Sequence, residues 1–252
     1  MLSQERQKRI YEVIKQYKSA SVTDLSAQFG ISFSTVRRDL LEMEERGLVQ
    51  RVHGGAILVD DNREPPRLQR RNQNVEAKER IGAAAARLVE NGDIVILGAS
   101  TTVEAMIPHL AEKHNLTIIT NMVNIAYKLA LYPHIMVIVL GGWLRHSEFS
   151  LQGHLTQESL KDLHANKVFH GTYGLDPDYG LTSILLQEVE TDRSLIDAAE
   201  QLIVVADSSK FSQVGPIRLV PMARIHTLIT DSGAPRNYLA KMERQGVQVI
   251  VV

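Results

Sequence analysis

Residues 21–56 read SVTDLSAQFGISFSTVRRDLLEMEERGLVQRVHGGA, and this stretch decides the fold of the first part of the chain. Apolar residues recur in it at helical spacing in two groups: Val22, Leu25 and Phe29, then Val36, Leu40 and Met43. Between the groups lies Gly30, which can adopt the left-handed backbone of a tight turn, followed by Ile31, which can pack beneath that turn. Two helices joined by such a turn predict a helix-turn-helix.

The flanking sequence adds a first helix. It has an apolar stripe at Ile10, Val13, Ile14 and Tyr17. Thr23 is placed to cap the second helix, and either Ser32 or Ser34 to cap the third, which Gly47 ends.

A hairpin follows the three helices. Extended segments Leu48–Val52 and Ala56–Val59 flank the turn His53-Gly54-Gly55. Residues 1–59 are therefore predicted to form a winged helix-turn-helix domain.

The pattern changes after residue 59. Residues 60–75 lack periodicity, contain Pro65-Pro66 and carry seven charges, which predicts a linker. Beyond it, helical stripes alternate with short β-branched runs at Ile94–Leu97, Leu116–Thr120, Ile135–Leu140, Lys167–Phe169, Leu202–Ala206, Thr227–Thr230 and Val247–Val252. Continuous apolar strands separated by helices predict a mostly parallel α/β domain, residues 76–252, with its sheet covered on both faces.

Composition limits the possible functions. The chain has 252 residues, 44% apolar and 23% charged, and no cysteine, which excludes disulfides, Cys-ligated metals and a thiol nucleophile. Residues 1–75 hold 13 Lys and Arg against 10 Asp and Glu, too slight an excess to indicate nucleic-acid binding alone. The longest apolar runs are far shorter than the roughly 20 residues that span a membrane. Without the apolar core of a signal peptide at its start, the protein is expected to be cytoplasmic and not to associate with membranes.

Residues 21–56 closely resemble the helix-turn-helix and wing of DeoR-type bacterial transcriptional regulators. The matching positions are Leu25, Ser32, Thr35, Val36, Arg37, Arg38, Asp39, Leu40, Gly47, Leu48, Arg51 and Gly54-Gly55-Ala56. The later chain is similar to the sugar-sensing domain of that family, which resembles ribose-5-phosphate isomerase. The resemblance implies a homo-oligomer, dimer or tetramer, that binds double-stranded operator DNA and a sugar phosphate or related carbohydrate effector.

The third helix and the wing carry the candidate DNA contacts. If Val36, Leu40 and Met43 are buried, the hydroxyl and guanidinium groups project away from them and can enter a major groove. We expect DNA contacts from Ser32, Ser34, Thr35, Arg37, Arg38, Arg51 and His53. Alternatively, Arg37 or Arg38 pairs with a carboxylate of its own helix (Asp39, Glu42 or Glu45). Asp39 is expected to be a structural partner, since it would repel phosphates, and Phe33 to pack at the helix start.

Small and hydroxyl residues follow the first strand of the α/β domain. Ser100, Thr101 and Thr102 begin a helix over Val103–Leu110 and can bind an anion there, or Ser100 or Thr101 simply caps the helix. The DeoR family usually has Asp and Gly where this chain has Gly98 and Ser100. This departure removes a carboxylate that could bind sugar hydroxyls.

Further effector candidates follow other strands. They are Thr120, Asn121, Gly142, Arg145, Gly171, Gly174, Asp176, Glu188, Asp192 and Lys210. Thr120 and Asn121 could instead cap a helix, Arg145 and Lys210 could be surface groups, and Trp143 is expected in the core or a subunit interface. Glu188 and Asp192 lie one helical turn apart. The resemblance usually places Lys at 192, whereas Asp192 repels phosphate and prefers hydroxyls, an amine or a metal.

These observations predict a regulator, in the first instance a repressor of a carbohydrate-utilisation operon, with no cofactor, metal or catalytic residue. An activator of the same architecture is one alternative. The other is a sugar-phosphate isomerase with a DNA-binding appendage, in which Glu188 would act as base opposite Lys210.

Overall fold

The computed structural model describes residues 3–45, 48–52, 54–58 and 67–252. These residues belong to two compact units, Met1–Gln73 and Asn74–Val252. Four sequence predictions fall outside the described residues: the role of His53, the helix end at Gly47, the strand end at Val59 and the first part of the linker, 60–66.

The first unit is a winged helix-turn-helix. Its elements are α1 (Ser3–Tyr17), β1 (Ser19–Ser21), α2 (Val22–Phe29), α3 (Phe33–Glu45), β2 (Val49–Val52), β3 (Gly55–Leu58) and α4 (Arg67–Arg71). The strands form an antiparallel sheet in the order β1-β3-β2, so β1 adds a strand to the predicted hairpin. The three-helix core is confirmed, with Ile10, Ile14, Leu25, Val36, Leu40 and Met43 all buried.

Local predictions in this unit were partly wrong. Tyr17 lies at the end of α1 and is 66% exposed, so it does not extend the apolar stripe into the core. Ser21, not Thr23, caps α2, since its hydroxyl accepts the N–H of Asp24 at 3.0 Å. Gly30 does have the expected left-handed backbone, with φ of 63°.

The described end of the predicted linker, residues 67–75, is largely helical. Residues Arg67–Arg71 form α4, and the next helix already begins at Val75. Leu, Gln and Arg have high helix propensity, and this outweighs the charge and the nearby prolines on which the linker prediction rested.

The second unit is built on one large parallel sheet. Its helices are α5 (Val75–Arg87), α6 (Thr101–Glu104), α7 (Val123–Leu129), α8 (His154–Leu160), α9 (Leu186–Asp197) and α10 (Arg236–Arg244). Its strands are β4 (Ile94–Leu97), β5 (Thr117–Thr120), β6 (Met136–Val139), β7 (Trp143–Arg145), β8 (Ser150–Gln152), β9 (Ala165–His170), β10 (Gly174–Asp176), β11 (Gly180–Ser183), β12 (Ala199–Val205), β13 (Ile217–Val220), β14 (Thr227–Thr230) and β15 (Gln248–Val251). All seven predicted strands lie in the seven-stranded sheet, in the order β15-β14-β12-β9-β4-β5-β6.

Both faces of this sheet are buried, as predicted. Val95 and Leu97 of β4 pack into one apolar cluster with α5 and α7. Ile96, between them, points to the opposite cluster, which includes residues of α9 and α10. The mostly parallel α/β fold is therefore confirmed, and strands buried on both faces explain the continuous apolar runs of the sequence.

The strand order reverses beside β4. From β4 the chain continues through β5 and β6 on one side, and then returns to place β9 and β12 on the other. From the carboxyl ends of β4 and β9 the chain therefore continues toward opposite edges of the sheet. In open α/β sheets, ligands bind outside the strand ends at this point.

The sequence did not predict the antiparallel additions, which are the β7–β8 hairpin and the small sheet β10-β11-β13. The helix predicted over Val103–Leu110 was also wrong. It is divided into the four-residue α6 and a 3-10 turn at Ile107–Leu110. Pro108 lies at the start of that turn and has no N–H with which to continue an α-helix.

Candidate functional site

Helix α3 presents a polar face opposite its core face. Ser32, Phe33, Ser34, Arg37 and Arg38 are exposed and Thr35 is half-buried. Ser32 caps the helix, because its hydroxyl accepts the N–H of Thr35 at 3.2 Å, and it also lies within hydrogen-bond distance of the hydroxyls of Ser34 and Thr35. The start of α3 is therefore a surface of hydroxyl groups beside two guanidinium groups.

Asp39 holds α3 against α1. Its buried carboxylate accepts two hydrogen bonds from Arg6, at 2.6 Å and 2.9 Å. The hydrogen bond to Asp39 raises the pKa of Arg6 above its usual value, in spite of the opposing effect of burial. Asp39 is thus the structural partner that the sequence indicated.

This arrangement leaves Arg37 and Arg38 available. Asp39 is engaged by Arg6, and Glu42 accepts a hydrogen bond from Gln7, also on α1. Within the described part of the chain, neither Arg37 nor Arg38 forms an ion pair. The alternative in which they pair with carboxylates of their own helix is therefore not what the structure shows.

Two other predictions near this surface have different outcomes. Phe33 is 50% exposed, so the expectation that it packs at the helix start was wrong. Arg51 lies on β2 with its backbone N–H 2.8 Å from Glu44 Oε1 and its guanidinium 3.9 Å from the same carboxylate. The other wing candidate, His53, is outside the described residues.

The loops after β4 and β9 are in direct contact. The N–H of Gly98 donates to the carbonyl of Phe169 at 2.9 Å, and a Cβ at Gly171 would collide with the side chain of Ser100. Glycine at 171 is needed because these two loops approach so closely. Ser100 and Gly171 are therefore brought together at the reversal point of the sheet.

The helix start after Ser100 is less suited to an anion than its sequence suggests. Ser100 Oγ accepts the N–H of Thr102 at 3.0 Å, which is the simple capping role, and both Thr101 and Thr102 are buried. Helix α6 has four residues, too few to align many peptide dipoles. Its buried Glu104 is held by Lys128 at 2.6 Å.

Thr120 ends β5 and Asn121 follows it, and the two differ in the polar atoms that they offer a ligand. The Thr120 hydroxyl donates to the carbonyl of Leu97 at 2.7 Å and accepts the N–H of Met122, so it is used inside the fold. Asn121 donates its amide N–H to the carbonyl of Leu151 at 3.0 Å. Its buried Oδ1 accepts no hydrogen bond from any described residue.

Arg145 and Glu188 form an ion pair between β7 and α9. The hairpin is also joined to α9 by the N–H of Gly153, which donates to the hydroxyl of Thr191 at 3.1 Å. Gly142 approaches α8 closely, since a Cβ there would collide with the hydroxyl of Thr156.

Trp143 was expected in the core or a subunit interface, but within this chain it is 48% exposed.

The central ionic group of this region is one that sequence reasoning missed. His170 ends β9 and faces Asp192 on α9, with Nε2 3.6 Å from Oδ1 and both side chains buried. Burial favours neutral imidazole, but Asp192 and the carbonyl of Gly171 outweigh it and raise the pKa of His170. A single histidine at the end of a strand has no motif by which the sequence could have marked it.

The remaining candidates have local roles in the fold. A Cβ at Gly174 would collide with the carbonyl of Gln213. Asp176 accepts the N–H groups of Asp178 and Tyr179 at 2.8 Å and 3.0 Å, and so shapes the β10–β11 turn. Lys210 is half-buried in the 3-10 turn that follows β12.

Comparison with known proteins agrees with this architecture. Residues 6–62 match the model of the DeoR-like helix-turn-helix domain, and residues 73–232 match that of the DeoR C terminal sensor domain. The chain belongs to the DeoR family. The membership accounts for the winged helix-turn-helix and for the α/β unit in one protein.

Relatives in the DeoR family match almost the whole chain. The putative aga operon transcriptional repressor of Escherichia coli O157:H7 is 33% identical over 252 residues, which cover 98% of this chain and 93% of that protein. The glycerol-3-phosphate regulon repressor of Escherichia coli K12 is 29% identical over 249 residues, 99% of each. Ribose 5-phosphate isomerase A of Methanocaldococcus jannaschii is a solved structure with 16% identity, 55% coverage of each chain and a TM-score of 0.42, too low for a functional conclusion.

The resemblance used in the sequence analysis led us to expect other residues at positions 98 and 192, and these two positions lie together in the structure. Asp192 faces His170, and Gly98 lies directly against the His170 ring, because a Cβ at 98 would be 2.5 Å from Cδ2. Gly98 and Asp192 are therefore parts of one local arrangement around His170. Among the described residues, no helix is long and apolar enough to cross a membrane.

Proposed function

We propose that this DeoR-family protein is a transcriptional repressor of carbohydrate-utilisation genes. Its operator affinity would change when a sugar phosphate or related carbohydrate metabolite binds to the α/β unit. The observation that carries the proposal is the exposed face of α3, where Arg37 and Arg38 have no ion-pair partner among the described residues because Asp39 and Glu42 are engaged by α1. The names of the relatives support repression over activation.

The chemistry of this face suits duplex DNA. An arginine can donate two hydrogen bonds to O6 and N7 of a guanine in the major groove. Serine and threonine hydroxyls more often bind phosphate oxygens and fix the position of the protein on the duplex. The hydroxyl cluster of Ser32, Ser34 and Thr35 is placed for the second task and the two arginines for the first.

The first test measures binding of the full-length protein to duplexes from the DNA upstream of its own gene, by fluorescence anisotropy across a salt series. We expect Arg37→Ala and Arg38→Ala each to weaken binding, and the double variant to weaken it further. A variant that no longer binds a given phosphate should show a salt slope smaller by about 0.9. Arg9→Ala is the matched control, because Arg9 is an exposed arginine on α1. If the double variant bound as tightly as this control, the assignment of α3 to DNA recognition would be wrong.

The sensing part of the proposal rests on the reversal point of the sheet. There the loops after β4 and β9 meet, and buried polar atoms of Asn121, His170 and Asp192 have no hydrogen-bond partner among the described residues. A ligand that binds one arrangement of the protein better than another would shift operator affinity by that difference.

The second test is a thermal-shift screen of sugars and sugar phosphates, since a ligand stabilises the state that it binds. Ser100→Ala and Lys210→Ala are expected to reduce the response of operator binding to an active compound without changing binding in its absence. Lys161→Ala, at an exposed lysine paired with Glu158, is the control. Equal responses in all three variants would contradict the placement of the effector.

We also propose that the protein is a homo-oligomer, a dimer or tetramer, which would place two recognition helices on half-sites about one helical turn or a multiple apart. Exposed apolar side chains on α7, just after it and on the edge strand β6 support this. Tyr127 and Leu131 are 78% and 76% exposed, and Met136 is also exposed. Light scattering should give more than one subunit, and Leu131→Asp should reduce that number. A monomeric wild-type protein would exclude this form of operator binding.

A catalytic role is not part of the proposal. The general base of the isomerase alternative would be Glu188, and this carboxylate is held in an ion pair by Arg145. We therefore expect no sugar-phosphate isomerase turnover. Turnover that Glu188→Gln abolished would favour the enzyme instead.

A further inference from the structure

We propose that Asn74 is the positioning residue through which the Lys210 loop, residues 207–212, acts on the segment that leads to the winged helix-turn-helix. This role rests on the proposed sensing function, because it concerns how an effector bound beside Lys210 would change operator affinity. Three observations carry it: the side-chain hydrogen bond of Asn74, the loop that this bond reaches, and the packing of α5.

Asn74 lies where the chain enters the second unit. It is the first residue of that unit and directly precedes α5. Its backbone is left-handed, with φ of 53°, a conformation that asparagine tolerates better than most residues. Its carbonyl accepts the N–H of Lys78, in the first turn of the helix, at 3.0 Å. The chain that leads to the winged helix-turn-helix is thus attached to the α/β unit at Asn74.

The side chain of Asn74 does not perform the capping task that its position offers. An asparagine before a helix usually accepts an N–H of the first turn through its side-chain oxygen. Within the described part of the chain, Asn74 forms no such bond. Its amide instead donates to Oδ1 of Asp207 at 2.8 Å, across 133 residues of sequence. The side chain at the start of α5 is therefore used to hold a distant loop.

Asp207 organises the Lys210 loop. Its carboxylate is buried, and Oδ1 also accepts the N–H and the hydroxyl of Ser209, at 3.1 Å and 2.5 Å. The carbonyl of Asp207 accepts the N–H of Lys210 at 3.0 Å, in the 3-10 turn Ser208–Ser212. One carboxylate oxygen offers about two lone pairs, so its three donors share it. A shift of the turn therefore alters the bond to Asn74.

The loop is anchored separately on its other side. The N–H of Ser208 donates to Oδ1 of Asp231 at 2.6 Å, and Asp231 Oδ2 accepts the N–H of Gly233 at 3.0 Å. Asp231 directly follows β14. Asp231 thus ties the loop to the sheet, whereas Asn74 ties it to the chain that leaves the unit.

Helix α5 is also in contact with the element after β4. Gly82 lies in the interior of α5, where glycine costs helix stability, and a Cβ there would be 2.7 Å from the carbonyl carbon of Ala105. Ala105 directly follows α6, the helix that Ser100 caps. A change at either effector candidate, Ser100 or Lys210, can therefore reach α5 through direct contacts.

The first measurement needs no effector. Asn74→Gly keeps the left-handed backbone, which glycine adopts readily, and removes the amide that binds Asp207. In hydrogen exchange of the full-length protein, we expect the amides of Ser209 and Lys210 to exchange about threefold faster or more in this variant. Asn115→Gly is the matched control, because Asn115 is also exposed and left-handed, with φ of 56°. Equal exchange at these two amides in both variants would overturn the inference.

The second measurement is the ratio of operator affinities with and without a probe compound, in the anisotropy assay. The probes are ribose 5-phosphate, glucose 6-phosphate, fructose 6-phosphate and glycerol 3-phosphate, each beside its unphosphorylated parent. Coupling between two sites typically changes an affinity by about 5- to 150-fold. For a compound to which the wild type responds, Asn74→Gly should reduce this ratio about three- to tenfold, while calorimetry gives an affinity for the compound within about threefold of the wild-type value. Asn115→Gly should respond like the wild type.

Asn74→Asp separates the bond from the stability of the helix. It keeps the shape of the side chain but places a second carboxylate against Asp207, and like charges repel. An aspartate at a helix N-terminus does not weaken the helix. We therefore expect Asn74→Asp to reduce the ratio at least as much as Asn74→Gly. A response lost in Asn74→Gly but kept in Asn74→Asp would assign the effect to helix stability and overturn the inference.

The outcomes distinguish this inference from the proposed function. A wild-type response in both Asn74 variants would overturn the inference and leave carbohydrate sensing intact. A parallel loss of compound binding and of the response would show a merely structural role and would also overturn it. No response of the wild-type protein to any probe would overturn the sensing function and the inference together, whereas the DNA measurements on Arg37 and Arg38 would stand independently of both.

Discussion

Replacing Asp39 by Asn should strongly destabilise the winged helix-turn-helix unit, although Asp39 is buried and is not part of the exposed face of α3. The change keeps the shape of the side chain and removes the charge that pairs with Arg6. Removal of one partner from a buried ion pair costs about 3–5 kcal/mol. Arg6 retains 16% of its side-chain exposure and can recover some hydration, so we expect about 3 kcal/mol, the lower end of that range.

This loss is large relative to the unit that carries it. At roughly 0.05–0.15 kcal/mol per residue, a unit the size of Met1–Gln73 has a free energy of unfolding of about 4–11 kcal/mol. A loss of 3 kcal/mol should lower its Tm by roughly 12–24 °C. Hydrogen exchange of the α1–α3 amides during thermal unfolding would localise the effect to this unit.

The control variant lies on α1, the helix that carries Arg6. Glu5→Gln breaks the Glu5–Arg9 pair, whose side chains are 55% and 59% exposed, and an exposed pair at this spacing contributes about 0.3–0.5 kcal/mol. If Asp39→Asn lowered the Tm of the unit no more than Glu5→Gln, the claim that Asp39 positions the recognition helix would be refuted.

Two further predictions concern Phe33 and His170. Phe33→Ala should leave the free energy of unfolding within about 0.5 kcal/mol of the wild-type value, since the ring is half exposed. It should nevertheless weaken operator binding roughly three- to tenfold, because it removes apolar contact area. Operator binding that is unchanged in the anisotropy assay would exclude a contact between Phe33 and DNA. The pKa of His170 is raised in the folded protein, so its stabilising contribution is complete below the ordinary pKa of about 6.5 and is lost as pH rises through the folded value. Denaturant unfolding from pH 5 to 9 should show this loss in the wild type and less of it in Asp192→Asn, and parallel pH profiles would count against the pairing.

The large features of the fold could be predicted because each leaves a pattern of many residues. Strands buried on both faces are continuous apolar runs, and all seven of them were found in the sequence. The helix-turn-helix could also be predicted, because two periodic apolar stripes lie on either side of Gly30. Short antiparallel strands such as β7 and β8 have three residues each, and so carry too few positions for a period of two to be visible.

The candidate sites were less predictable, because they depend on contacts between distant residues. Arg6 and Asp39 are 33 residues apart, and nothing local in the sequence links them. The sequence left Arg145 open as either an effector contact or a surface group, and could not indicate that the fold places Glu188 beside it. His170 became a candidate only from the structure, in which β9 lies against α9, because an isolated histidine has no spacing pattern in the sequence.

The contact between Gly98 and His170 limits how the proposed effector site can change by mutation. Any side chain at 98 would place its Cβ 2.5 Å from the imidazole ring, so the two positions cannot vary independently. Introducing Asp at 98 therefore requires that His170 is first replaced by a smaller residue, and introducing His at 170 requires that position 98 is first glycine. In the proposed effector site, the order of substitutions at 98 and 170, and not merely their identity, therefore governs which variants can be reached from this sequence.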